Sequence, residues 1–551
     1  MSTEARPSHG LLARWWQWID STIFSLGREM RVEFLPPLMV YVAAGISGLT
    51  GIAATFFVKE YLGLSAQFLA ALGFWVGLPW ALKMPVGHLV DLMWRWKGIL
   101  VFIGAAVIAS SLLIMIGLVS SPAAMKTVMA IEAWYVLAAL LAPIGYVMQD
   151  VVADAMTVEA VPRVDDEGNP VDEKLRRSMH TTMQMLGRVA IIGGGVLVSM
   201  INVVIFNDAA QLPEQEKAAL YRLAYELALI IPFISVAGVV LSIWLLRRRA
   251  AALRAKGFDA SAVEKLLDVH GQPPPVNWWI LGGGLAFAGV SIAVGLSSLP
   301  FKEEIIFVVS MSIIIVLMAK LVRELEPDAK RVLIGTALLV FVFRAMPGSG
   351  PGTTWWYIDG LGFDQAFLAK LSLVASLLTL LGLFLFRRFM AERSIAHIVV
   401  FLTIVGTLLS LPTIGMYYGL HNWTSAMTGG MVDARTIALI DTALESPLGQ
   451  VSMVPMLAWI ANSAPDRLKA TFFAVMASFT NLALSASQLG TKYVNQVYTV
   501  TREIKDRATD TIKVPADYSQ LGELLAVVIV IGFIVPLVAV LGLKVFRMRS
   551  A

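Results

Sequence analysis

Long runs of apolar residues recur along almost the whole chain, and they restrict its possible folds more than any other feature. The hydrocarbon core of a bilayer is about 30 Å thick, so a helix that crosses it needs about 20 mostly apolar residues. The chain is 57% hydrophobic and only 15% charged, a composition that excludes an ordinary water-soluble protein. We therefore predict an all-α polytopic membrane protein.

Fourteen runs have a length and composition suited to a membrane span. Six precede a charged linker, two follow it, and six complete the chain. The first six are residues 36–57, 66–86, 99–120, 127–153, 179–206 and 220–246. The other eight are residues 278–298, 304–322, 329–347, 366–386, 396–418, 436–461, 469–497 and 520–545.

The distribution of Lys and Arg predicts the orientation of these spans. Loops on one side of the membrane hold nearly three times as many basic residues as loops on the other side. Because basic loops remain in the cytoplasm, both termini are predicted to be cytoplasmic. We expect the protein in a plasma membrane, as a multi-pass protein of the bacterial inner membrane.

The first 32 residues contain no span. Leu11, Leu12, Trp15 and Trp16 accompany Arg14 in this segment, a pattern typical of an amphipathic helix on the membrane surface. A poorly ordered tail with a few aromatic residues is the alternative.

The order of the spans predicts four segments. Residues 1–32 form the interfacial segment, 33–246 a six-helix half, 247–326 a linker with two inserted helices, and 327–551 a second six-helix half. Two six-helix repeats are the layout of many transporters, including those of the major facilitator fold, which we expect here. The inserted pair is expected to pack peripherally, and a Gly-Pro run at residues 346–352 predicts a hinge or a helix break.

Ionisable side chains inside spans are the candidates for function, since such groups are costly in lipid and usually face a cavity or a partner. Asp150 and Asp154 are four residues apart, as are Asp441 and Glu445, so each pair lies on one helical face. Proton coupling is predicted for Asp441, Glu445 and Glu132. For Asp150 and Asp154, gating, structural ion pairing and proton transfer are all open.

The segment from Lys83 to Asp91 predicts a gating element. Gly87 and Asp91 form a Gly-x-x-x-Asp turn before basic residues, a loop pattern that resembles the one between the second and third helices of major facilitator transporters. The gating residues are therefore predicted to be Lys83, Gly87, Asp91, Asp150 and Asp154.

Other chemistries lack their motifs. The chain has no cysteine and no Gly-x-x-x-x-Gly-Lys-Ser/Thr phosphate loop, which argues against an ATP-driven pump. Its six histidines show no metal-binding spacing. We predict no enzymatic activity, no catalytic residue, no cofactor, no bound metal and no nucleic-acid partner.

Several short stretches together resemble the folate–biopterin transporter family of the major facilitator superfamily. They are residues 83–87 (KMPVG), 150–155 (DVVADA), 343–347 (FRAMP), 449–456 (GQVSMVPM) and 469–474 (KATFFA). The resemblance does not include the inserted pair. Arg344 departs from it, standing where a neutral polar residue, usually Gln, is expected.

The resemblance implies uptake of a folate- or pterin-like anion with protons, by a monomer embedded in the lipid bilayer. Arginines bind carboxylates well and aromatic rings stack on pterins, although tryptophans also form interfacial belts. The predicted substrate-binding residues are Arg188, Arg344, Gln184, Trp355, Trp356 and Gln450.

Two other functions remain open at this point. Gln149, Asp150 and Asp154 also fit a Gln-Asp-x-x-x-Asp motif of muropeptide permeases, so a major facilitator permease for a muropeptide, nucleoside or amino-acid derivative is the first alternative. A non-transporting membrane sensor or a polytopic transferase is the second.

Overall fold

The computed structural model of the protein is almost entirely helical. It describes residues 25–546, 548 and 550, except 63, 82, 163, 166–168, 268–275, 324–325, 454, 457–458, 460–468 and 506–511. The amphipathic helix predicted near the N-terminus falls mostly on residues 1–24, outside the described part.

The helices before the linker form what we call the N-terminal bundle. Prolines at the first positions of α2 begin that helix after a short 3-10 turn, as expected for a residue without a backbone donor. The helices are α1 (Ser25–Arg28), α2 (Leu35–Gly45), α3 (Gly51–Tyr61), α4 (Ala66–Ala81), α5 (Lys83–Leu92), α6 (Gly98–Ser120), α7 (Pro122–Val128), α8 (Ile131–Ala160), α9 (Glu173–Phe206), α10 (Glu214–Ala228) and α11 (Ile230–Ala255).

The linker carries a short helix and leads to the inserted pair. Helix α12 spans Ala260–Leu267, and α13 (Trp278–Leu296) and α14 (Lys302–Val322) form the pair, here called the insertion. The side chain of Asn277 accepts hydrogen bonds from the backbone N–H groups of Trp279 and Ile280, which caps α13.

The remaining helices form the C-terminal bundle. The break predicted at residues 346–352 separates α15 from α16, and Gly350 lies within it at φ +74°, a conformation that favours glycine. The helices are α15 (Pro327–Arg344), α16 (Gly352–Asp359), α17 (Gln365–Leu385), α18 (Arg387–Glu392), α19 (Ile395–Tyr417), α20 (Leu420–Met427), α21 (Ala434–Glu445), α22 (Lys469–Val497) and α23 (Leu521–Val545).

A small β-hairpin lies between α22 and α23, which the all-α prediction missed. Strands β1 (Ile504–Lys505) and β2 (Ile512–Val514) pair antiparallel. We call the end of the molecule that carries this hairpin the hairpin face. The opposite end, where the linker leaves α11, is the linker face.

Ten helical stretches of the described residues are long and apolar enough to cross a membrane. Four of the fourteen predicted spans, at residues 304–322, 329–347, 436–461 and 469–497, are not among them. The run at 436–461 is not one continuous α-helix, because α21 ends at Glu445 and a 3-10 turn follows. The total of fourteen therefore remains a prediction.

The two bundles meet along two seams, α4 against α22 and α9 against α17. At the first seam, the amide of Asn481 donates to the carbonyl oxygen of Trp80 at 3.2 Å. At the second, the hydroxyls of Ser199 and Ser372 are 2.9 Å apart. Small polar side chains let helix backbones approach closely within a bilayer, and at the first seam apolar side chains such as Phe74 and Leu482 belong to one buried cluster beside them.

Inside the N-terminal bundle, α2 and α9 cross at two glycines. A Cβ atom placed on Gly194 would lie 2.8 Å from the Cα of Gly45, and one on Gly45 would lie 2.3 Å from the carbonyl oxygen of Ile191. Backbone atoms cannot move aside as a flexible side chain can. The crossing therefore requires glycine at both positions.

We expect Gly194→Ala to lower the stability of the protein by about 1–3 kcal/mol, because the added methyl group would overpack this crossing. Thermal unfolding in detergent measures the effect. Gly193→Ala is the matched control, since the same helix has open space at that position. Equal melting temperatures for the two variants would contradict the close approach.

Candidate functional site

The structure joins three of the predicted gating residues in one ionic cluster. Lys83, at the start of α5, lies 2.6 Å from Asp150 and 2.7 Å from Asp154, both on α8. The side chains of Lys83 and Asp150 are only 19% and 16% exposed, whereas that of Asp154 is 43% exposed. The i, i+4 spacing places both carboxylates on the face of α8 that meets Lys83.

Two further residues extend this cluster. The Tyr41 hydroxyl donates to Asp154 at 2.6 Å, and Arg188 of α9 lies within electrostatic range of Asp150 and Tyr41. The Gln184 amide donates at 3.3 Å to the hydroxyl of Thr157, one helical turn beyond. Arg188 and Gln184, predicted to bind substrate, thus lie beside the predicted gate, on α9 next to α8.

The other two predicted gating residues lie farther along α5. A Cβ atom on Gly87 would make an ordinary 3.9 Å contact with Val151, so no close approach requires glycine there. Asp91 lies within electrostatic range of His88. The ring of His88 accepts a hydrogen bond at 2.9 Å from the backbone N–H of Asn277, at the start of the insertion.

Arg344 ends α15 inside the C-terminal bundle. Its guanidinium contacts the Met456 sulfur at 3.4 Å, and its Nε finds no hydrogen-bond partner among the described residues. An adjacent cavity of about 20 Å³, room for about one water molecule, is lined mainly by apolar side chains such as Val340 and Ile398. Within the described part of the chain, no carboxylate forms an ion pair with this arginine.

The acidic pair of α21 also lacks a cation. Neither Asp441 nor Glu445 has an ion-pair partner among the residues that the structure describes, and Asp441 Oδ1 is buried without a hydrogen bond there. Tyr357 of α16 lies within electrostatic range of both carboxylates, and its hydroxyl is 3.0 Å from that of Thr413. Glu445 is exposed.

The remaining predicted residues are dispersed. Trp355 and Trp356 are only 3% and 7% exposed and pack within the C-terminal bundle, where the Trp356 and Tyr417 rings meet edge to face. Gln450 is half-buried after α21, and Glu132 is exposed in the first turn of α8. The structure does not bring these four side chains together with Arg188 or Arg344.

Contacts between the bundles close the hairpin face. Lys59 of α3 lies 2.5 Å from Asp359 of α16, and Asp359 also accepts a hydrogen bond from Tyr518 at 2.6 Å. Arg502, 2% exposed, donates to the carbonyl oxygen of Val58 and stacks over Trp355. Burial lowers the pKa of Arg502 to about 10. In this conformation, the hairpin face is shut.

A cavity of about 470 Å³ opens at the linker face. Its lining mixes acidic and basic side chains, including Glu33, Glu159, Arg248 and Arg249. Its lining residues all precede residue 257, so the cavity is separate from Arg344 and Asp441.

The sequence reasoning missed Tyr41, Lys59, Asp359 and Arg502. Three of these are loop or helix-end residues whose partners are more than one hundred positions away, so no local spacing marks them. Tyr41 carries no charge, and an aromatic residue inside a span is usually attributed to packing. Among the described residues, no group of three or more His, Cys, Asp or Glu could hold a metal ion.

Comparison with known proteins yields one family. The sequence model of the BT1 family matches residues 44–545. The chain is 24% identical over 465 residues to a folate-biopterin transporter of Synechocystis sp., a match that spans 83% of this chain and 74% of that protein. It is 26% identical over 166 residues to a putative folate transporter 2 of Plasmodium berghei, covering 29% and 34% of the two chains.

Solved structures share the fold over nearly the whole chain. A POT family transporter in complex with 5-aminolevulinic acid has a TM-score of 0.56 at 12% identity, covering 96% of this chain and 97% of its own. The nucleoside transporter NupG has a TM-score of 0.51 at 12% identity, covering 92% and 99%. The architecture is thus of the major facilitator type, and these proteins are transporters, not enzymes.

We expect Lys83→Met to destabilise the protein by about 3 kcal/mol, because it leaves two partly buried carboxylates without their cation. Adding Asp150→Asn should recover part of the loss, since it removes one of the repelling charges. Thermal unfolding in detergent measures both effects. Lys370→Met, a change of an exposed lysine on α17, is the control, and a double variant less stable than Lys83→Met would contradict the assignment.

Proposed function

The chain belongs to the BT1 family, and on that premise we propose that this membrane transporter carries a folate- or pterin-like organic anion by alternating access, coupled to protons. The observation that carries the proposal is Arg344, a guanidinium inside the bundle without an ion-pair partner among the described residues. A charge placed in apolar surroundings without a partner is costly. A bound anion would supply that partner.

The chemistry of the cargo suits such a site. Folate carries carboxylates, which an arginine binds with paired hydrogen bonds. Arg188 is the second candidate contact for a carboxylate. Gln184, near it on α9, and Gln450, after α21, are the candidate polar contacts. Tyr357, half-buried next to Asp441, is the aromatic ring best placed to meet a pterin, because Trp355 and Trp356 are packed in this conformation.

Proton coupling is assigned to the acidic pair of α21. Asp441 and Glu445 are one helical turn apart, so proximity disfavours simultaneous ionisation of both. Since neither has a cation nearby in the described part, one proton held by the pair would halve its negative charge. Glu132, exposed at the start of α8, is the weaker candidate.

The gating role falls to the cluster of Lys83, Asp150 and Asp154, with Gly87 and Asp91 on the same helix as Lys83. In this proposal the protein acts as a monomer of a bacterial inner membrane, with both termini in the cytoplasm. The linker face is then cytoplasmic, and the closed hairpin face is external.

The muropeptide alternative depends on the Gln149-Asp150-Asp154 motif. The Gln149 side chain is 2% exposed and donates to the hydroxyl of Ser235 and the carbonyl oxygen of Val101. It is therefore committed to helix packing, which disfavours a part in cargo binding.

The direct test is uptake of labelled folate, pterin and muropeptide into proteoliposomes, with and without an imposed proton gradient. Gradient-driven accumulation of folate or pterin is the expected result. Accumulation of muropeptide alone, or no accumulation of any of the three, would overturn the assignment of the cargo.

We expect Arg344→Met to weaken folate binding about 10- to 100-fold, the loss typical of one charge-assisted hydrogen bond. Uptake of an uncharged pterin should change little, because it has no carboxylate to lose a contact. Lys370→Met, which removes an exposed cation from α17, is the matched control. Equal losses for folate and pterin would contradict an anion contact at Arg344.

For the proton, we expect Asp441→Asn to abolish accumulation driven by the gradient while exchange of internal for external substrate continues. The amide of asparagine cannot take up a proton near neutral pH, but it preserves the shape of the side chain. Asp328→Asn, at an exposed position in the first turn of α15, is the control. Full gradient-driven accumulation in both Asp441→Asn and Glu445→Gln would exclude the pair as the coupling site.

A further inference from the structure

The insertion lies against both bundles at once. Helix α13 packs on α5 of the N-terminal bundle, where Gly284 lies so close to Pro85 that an added Cβ would be 2.4 Å from its ring. Helix α14 packs on α22 of the C-terminal bundle. The two inserted helices also pack on each other. They therefore connect the bundles by a further route, in addition to the two direct seams.

A polar cluster at the hairpin-face end of the insertion strengthens this connection. One oxygen of Glu303 accepts a hydrogen bond from the Trp75 indole of α4 at 3.0 Å. The other lies 3.2 Å from the ammonium group of Lys492 on α22. A single carboxylate of the insertion is therefore shared between the two bundles.

The neighbouring carboxylate doubles the attachment to α22. Glu304 lies 2.8 Å from Lys492 and accepts a hydrogen bond from the Tyr493 hydroxyl. The side chains of Lys492, Glu303 and Glu304 are 13%, 17% and 21% exposed. Because these charges are shielded from water, their attraction is stronger than that of surface pairs.

Apolar packing follows the same path. One cluster of buried side chains continues from Phe74 of α4 through Phe287 and Ile306 of the insertion to Leu333 and Leu482 of the C-terminal bundle. A relative rotation of the bundles that separated α4 from α22 at the hairpin face would have to break the polar cluster and shear this core.

We propose that the insertion is a clamp that holds the hairpin face closed, and that Glu303, Glu304, Lys492 and Trp75 are its polar grip. The clamp sets the balance between the conformation described here and one open at the hairpin face. It relies on the alternating-access motion of the proposed function but not on the cargo or the coupling ion, so it can be tested without substrate.

The test is the distance across the hairpin face, measured by electron spin resonance in the full chain. Because the chain has no cysteine, spin labels can be attached at Val128→Cys and Met427→Cys, which are 76% and 72% exposed on the two bundles. The parent chain should give one predominant short distance. The double variant Glu303→Gln/Glu304→Gln should raise the ratio of long to short distances by about fivefold or more, the lower range of conformational coupling.

Two further variants make the result decisive. Glu326→Gln removes an exposed carboxylate just before α15 and should leave the distances unchanged. Trp75→Phe removes only the indole donor while retaining an aromatic ring, so it tests the grip on the N-terminal bundle even if the double variant does not fold. Unchanged distances in the folded clamp variants, or an equal shift in Glu326→Gln, would overturn the proposal.

Discussion

A lipid bilayer offers charged groups no water and almost no hydrogen-bond partners, and the placement of each buried charge in this protein follows from that constraint. Lys83 is held by two carboxylates of α8, and Lys492 by two carboxylates of α14. Each lysine thus joins two helices through ion pairs that are largely shielded from water. Arg344 and Asp441 differ, because in the described part of the chain no opposite charge pairs with them. The first kind of charge joins helices, and the second kind is the one to which the proposed function assigns the cargo and the proton.

The sequence predicted the membrane class, the family and much of the helical layout, because these depend on apolar run length and on short local motifs. It also placed Asp150 and Asp154 on one face, since helical periodicity requires no tertiary information. It did not reveal that Lys83 would meet both of them, although all three were singled out. That contact depends on how α5 packs against α8, a relation between residues 67 positions apart.

The insertion shows the limit of such reasoning most clearly. Its apolar composition suggested two peripheral helices, and the second predicted span began at residue 304, so Glu303 fell just outside it and Glu304 at its first position. The helix begins at Lys302, so both carboxylates lie inside its first turn, and both reach Lys492 of α22. The helix thus begins two residues earlier than predicted, and this difference changes the inserted helices from a pair without assigned contacts to one that bridges the bundles.

The hydrogen bond between Arg502 and the carbonyl oxygen of Val58 depends on the identity of the side chain at only one of its two ends. Its donor is a side chain, whereas its acceptor belongs to the main chain and is present whatever residue occupies position 58. Substitutions at position 58 that preserve the backbone can therefore accumulate without loss of this contact, while position 502 alone encodes it. The side chain at position 58 can vary without removing the acceptor, whereas a substitution of Arg502 by a residue without a donor removes the contact.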